Sequence, residues 1–115
     1  MGMTADEIRA YCKRRRYSVK YTAYWVAHPC CEAYRTAGAI AGAGAPHHIA
    51  TRGAHGACDE PWNLVSLAPE NHRAVHRGET EFLASFPALR PRFKRAHREI
   101  WRWRRKENEI LDNIG

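Results

Sequence analysis

At 115 residues the chain is expected to form one domain around a single modest core, being too short for two. Its hydrophobic content of 44% suits a soluble globular fold, and no apolar run is long enough to cross a bilayer. An excess of 19 Lys+Arg over 12 Asp+Glu, a formal charge of +7, argues against basic partners and for a polyanion, of which nucleic acid is the commonest.

The first residues, Met-Gly-Met-Thr-Ala-Asp-Glu, contain neither a basic n-region nor an apolar h-region, so a cytoplasmic location is expected. Thr4-Ala5-Asp6-Glu7 has the capping-box form, which predicts a helix from Ala5 to about Arg15 with Ile8, Tyr11 and Cys12 on one face. A basic group, Lys13, Arg14, Arg15, Arg16 and Lys20, follows. Tyr21, Tyr24 and Trp25 recur at helical spacing, so 17–27 is read as helix up to Pro29, against the β-propensity of its aromatics. Residues 4–27 thus form a helical N-terminal segment. The stretch TAGAIAGAGA at 36–45 reads as a flexible connection without specific structure.

From Pro46 the pattern sharpens. His47-His48-Ile49-Ala50 is a short strand candidate, 51–61 a loop, and 62–67 a second strand. Pro69 suits the first turn of a helix over 70–77 that Gly78 stops. A short helix over 79–86 ends before Pro87, and a last one covers 91–112. In that last helix Phe93, Ala96, Ile100 and Trp103 form an apolar stripe. Arg95, Arg98, Arg102 and Arg105 form a second, basic stripe, the face expected to meet phosphates, with Trp101 able to stack on bases. The fold class is therefore α+β and mostly helical, with a strand–strand–helix motif at 46–78 and a C-terminal basic amphipathic helix.

Three features of that motif belong together. His72 and His76 stand four apart on a predicted helix, so both imidazoles can reach one metal ion. Alone, such a pair is more often two surface histidines. His47 and His48 are adjacent on a strand and point to opposite faces, which allows one to ligate and the other to address a water beside the ion. Asn63 can use its amide to bond backbone groups across the loop and hold the first strand. The four cysteines, Cys12, Cys30, Cys31 and Cys58, lack the paired Cys-x-x-Cys spacing of a zinc ribbon and are read as buried thiols.

The joint order HH…N…H-x3-H within strand, loop, strand and helix resembles the HNH endonuclease superfamily, the ββα-metal fold. The stretch from PHHIATRG through HRAVHRG is similar to phage and prophage HNH proteins, and its ending looks like the three-histidine variant of colicin-type nuclease domains. The resemblance spans roughly residues 21–87. It implies that His47, His72 and His76 ligate one divalent metal ion, Zn²⁺, Ni²⁺, Mn²⁺ or Mg²⁺. It further implies that His48 is the general base and that Asn63 fixes the hairpin. DNA is then cut to 5′-phosphate and 3′-hydroxyl ends, with Arg52, Arg73 and Arg77 beside the ligands as phosphate contacts. Many relatives carry a second zinc shell from two Cys-x-x-Cys-like pairs, whereas Tyr34 and Ala68 stand at those places here.

One such site cuts one strand, so double-strand cleavage would require a homodimer or two encounters. Two other readings share these residues. A non-catalytic DNA-binding module could use a zinc-pinned ββα unit as scaffold, although it would have no use for His48. A delivered nuclease toxin would normally carry delivery domains and an immunity partner.

Overall fold

A computed structural model describes residues 2–51 and 58–114. Helix α1 (Ala5–Arg15) opens with the anticipated capping box: Glu7 N–H donates to Thr4 Oγ1, and Thr4 N–H to Glu7 Oε1. Arg16 ends it in the left-handed region, at φ 58°. Helix α2 (Val19–Ala27) is capped by Ser18, whose Oγ accepts from Tyr21 N–H. The helical reading of the aromatic segment holds because Tyr21 and Trp25 share a face that packs on Ile8 and Cys12 of α1.

The 36–45 connection is more ordered than its composition suggests. Thr36 closes a short helix, α3 (Glu32–Thr36), that the sequence reading missed. The far end of the glycine-rich stretch is pinned through Cys31 N–H to Gly42 O, Gly44 N–H to Pro29 O and Trp25 Nε1–H to Gly44 O. Gly44 lies so close to Cys31 that a Cβ there would fall 2.9 Å from its backbone nitrogen. Gly44 is thus needed for close approach, whereas Gly38, at φ 75°, supplies the left-handed backbone that ends the turn after α3.

Strands β1 (Ala45–His48) and β2 (Leu64–Leu67) pair antiparallel, with His47 opposite Val65 and His48 opposite Leu64. Strand β1 has the expected length but starts and ends two residues earlier, and β2 starts two residues later than expected and is shorter. After His48 the backbone is held by Asn63, whose main-chain O accepts from Ile49 N–H and whose Oδ1 accepts from Ala50 N–H; before Leu64, Pro61–Asn63 form a 3-10 turn led by a proline with no N–H to pair. Two-stranded sheets are marginal alone, and here side chains finish both outer edges. Tyr21 Oη donates to Pro46 O, and Arg92 Nη2 donates to Leu64 O. Ser66 N–H donates to Glu32 Oε2.

Helix α4 (Pro69–Arg77) follows β2 directly, then α5 (Glu79–Ser85), a 3-10 turn (Pro87–Leu89) and α6 (Arg90–Ile114). The main core gathers Val65 and Leu67 of β2, Phe82 of α5, and Phe93 and Ala96 of α6 around Cys31. Ala50, Cys58 and Ile100 form a smaller cluster with Trp62 and Trp103 packed against it. Cys12, Cys31 and Cys58 are buried as expected, but Cys30 is exposed. No helix among the described residues is long and apolar enough to cross a membrane.

Where a second zinc shell would stand, Cys31 and Ala68 are core residues with Tyr34 packed against them. Asn71 Nδ2 donates to Cys31 Sγ at 3.3 Å, tying α4 to the start of α3. Among the described residues no second metal-ligand cluster occurs there. Packing and two hydrogen bonds, the second from Tyr34 Oη to Glu70 Oε1 at 2.9 Å, join the elements that a zinc ion would otherwise clamp.

Candidate metal centre

Strand β1 and helix α4 bring three histidines together. His72 and His76 lie one helical turn apart, and His47 projects onto the same point from the strand. Ring centroids are 4.7 Å apart for His47–His72, 5.4 Å for His47–His76 and 4.7 Å for His72–His76. One nitrogen from each ring lies within 4.8 Å of the other two, close enough to hold a metal ion. The Nε2 atoms of His72 and His76 are 3.2 Å apart. Two imidazole nitrogens on a tetrahedral ion at 2.0–2.1 Å would be separated by roughly 3.3 Å, so the pair already has ligand spacing.

Electrostatics favours lone pairs over protons at this point. His47 is buried, and burial together with the His72, His76 and His48 charges pushes its imidazole down to about 3. Burial and His76 lower His72 as well. Neutral rings are what a metal requires. Zn²⁺ or Ni²⁺ at about 100 times its Kd should therefore stabilise the fold by about 2.7 kcal/mol, read as an upward shift in thermal denaturation. His72→Ala and His76→Ala should lose that shift with little change in the metal-free melting temperature, since both side chains are exposed.

His48 points away from its neighbour, as strand alternation requires. Its ring stacks on Tyr21 with centroids 5.8 Å apart, and its Nε2 meets Asp59 Oδ1 at 2.6 Å. Asp59 in turn accepts from Ser18 Oγ at 2.6 Å, at the N-terminus of α2. With Nε2–H given to Asp59, the lone pair of a neutral ring sits on Nδ1. Asp59, which acts across a loop, is not among the residues singled out from the sequence, although the plan shared with HNH proteins has an acid ahead of Asn63-Leu64.

Asn63 is fully buried behind the histidines. Its Oδ1 accepts from Ala50 N–H at 2.8 Å, and its Nδ2 donates to Ala50 O at 2.7 Å and Cys58 O at 2.9 Å. All three groups are main-chain, so the amide closes the two ends of the loop onto each other. Asn63→Ala strands these buried groups and should cost about 3 kcal/mol in chemical denaturation.

The histidines floor an open trough with two lobes. One, of about 690 Å³, includes His47, His48 and His76 together with Glu79, His97, Trp101 and Arg104. The other, of about 550 Å³, adds Arg16, Tyr17, Tyr21 and Asp59. Arg16 and Arg104 are thus the arginines flanking the centre. Arg73 and Arg77 are exposed on α4 but line neither lobe, and Arg52 lies outside the described residues. Arg95, Arg98, Arg102 and Arg105 are exposed too, yet that stripe is turned roughly 110° around α6 from the trough-lining face of His97, Trp101 and Arg104. A third face of α6, visible in the periodicity once the core stripe is known, was the signal that the sequence reading passed over.

Comparison with known proteins decides nothing further. No family model, no curated protein and no solved structure matches the chain. Its chemistry is accordingly read from the geometry of the site.

Proposed function

We propose that the chain is a metal-dependent DNA endonuclease of the HNH, ββα-metal type, using one divalent ion held by His47, His72 and His76. The observation that carries this reading is a three-histidine set with His72 and His76 exposed at the floor of an open trough. Structural zinc sites are closed by four protein ligands, whereas catalytic sites keep an open position. The resemblance of the HH…N…H-x3-H order to HNH proteins agrees with it, as does the formal charge of +7.

When bound, the ion supplies a Lewis acid for a phosphate oxygen and charge relief for the departing oxygen. The chain's own residues do the rest. His48 takes the proton from a water; that oxygen bonds to phosphorus while the bond to the 3′ oxygen breaks. A 5′-phosphate and a 3′-hydroxyl result, the leaving oxygen being protonated from solvent. Asp59 holds the His48 ring, Asn63 holds the hairpin that presents His47 and His48, and Arg16 and Arg104 meet phosphates on either side.

Plasmid nicking by the wild type across Mg²⁺, Mn²⁺, Ni²⁺ and Zn²⁺, with a chelator control, tests the reading. Ion-dependent conversion of supercoiled to open-circle plasmid is expected. Binding of metal and DNA without cutting under any ion would make the chain a zinc-pinned DNA-binding module instead. The exposed arginine stripe of α6, which does not line the trough, gives that second reading its specific support.

A further inference from the structure

The 690 Å³ lobe is not lined as a pure phosphate site would be. Ile49, Val75 and Ile100 give it an apolar wall, and Trp101 stands at its edge with 63% of its surface exposed, the most exposed tryptophan among the described residues. The Arg105 guanidinium lies 5.5 Å from the centroid of the Trp101 ring, which steadies the indole by a cation–π contact. Arg104 enters the same lobe. The acid there, Glu79, is engaged by His97 Nε2 at 2.9 and 3.0 Å.

A cation site, an exposed aromatic ring and a guanidinium in one cleft match the parts of a nucleotide: the phosphate at the histidines and Arg104, the base on Trp101. We infer that Trp101 stacks an unpaired base beside the metal centre, so that this lobe takes single-stranded or locally unpaired DNA in preference to intact duplex. The inference rests on the nuclease reading and deepens it by naming the substrate class. In a duplex each base is already stacked on its neighbours and has no face to offer, so presenting one requires unstacking it first. An unpaired strand avoids that cost and gains the aromatic contact.

The test is fluorescence anisotropy in EDTA at one fixed salt concentration, with a labelled oligothymidine and a duplex of equal length. Wild type should bind the single strand more tightly. Trp101→Ala should weaken that binding by roughly 5- to 150-fold and duplex binding by much less, with Trp101→Phe recovering part of the loss. Circular dichroism checks that both variants fold. Equal weakening of both ligands, no weakening of either, or no strand preference in the wild type would overturn the inference. Plasmid nicking, run in parallel, separates the two claims. Nicking without any Trp101 effect on strand preference leaves the nuclease reading and removes this one. Selective single-strand binding without cleavage under any ion does the reverse.

Discussion

His48→Ala should nick plasmid about 10² to 10⁴ times more slowly than wild type while still binding the divalent ion. The two readouts separate because the strand separates the two rings. His47 faces His72 and His76, whereas His48 faces Tyr21 and Asp59. Removing the His48 imidazole therefore leaves every candidate ligand in place, and the thermal shift given by Zn²⁺ or Ni²⁺ should persist. Asp59→Ala should give an intermediate loss, since the ring would remain but its tautomer and orientation would be set only by stacking on Tyr21. Ser18 is a poor place to probe the same chain of contacts, because its Oγ also caps α2 and its loss would disturb the helix. Full nicking by His48→Ala under an ion that wild type uses would remove the general-base role. Loss of both nicking and metal binding would mean that His48 supports the metal centre itself.

How much of this could be read in advance follows the range of the interactions. Local signals were legible. The Thr4–Glu7 capping box started α1 at Ala5, Pro69 and Gly78 bracketed α4, and the 3-4-3 stripe put Phe93, Ala96 and Ile100 inside. The histidine set was legible because strand alternation and helical periodicity are both local rules, and together they aim His47, His72 and His76 at one point. Groups that act across space left no local trace. Asp59 meets His48 over 11 positions and Glu32 meets Arg92 over 60, and no local rule pairs either acid with its partner. The 36–45 stretch failed for a related reason. Alanine and glycine look structureless when the contact they permit, Gly44 against Cys31, is with another part of the chain.

The Glu32–Arg92 pair carries an effect on stability as large as that expected for Asn63, and one that depends on pH. Glu32 of α3 accepts from Tyr24 Oη of α2 at 2.5 Å, from Ser66 N–H of β2 at 2.8 Å and from Arg92 Nη1 of α6 at 2.8 Å. Arg92 also donates to Tyr24 Oη at 2.6 Å and to Leu64 O at 2.8 Å. One ion pair therefore joins three helices to the free edge of the strand whose partner carries His47. Burial works to raise the Glu32 carboxyl, but the hydrogen bonds from Tyr24 and Ser66 and the Arg92 charge outweigh it and hold the group below its usual 4.5. Glu32→Gln leaves Arg92 without its counter-charge and should cost about 3 kcal/mol at neutral pH. In a chain of this size that is roughly 12 °C of melting temperature. The sign of the pH dependence follows from the lowered carboxyl. Its contribution is complete above about 4.5 and is lost as pH falls through the folded-state value, so wild type and Glu32→Gln should converge on acidification. Adding Arg92→Met to Glu32→Gln should cost less than the two single losses combined, because the stranded charge is gone. A melting difference of only a degree or two at neutral pH, or one that does not shrink with acid, would mean that packing of α3 alone holds this edge.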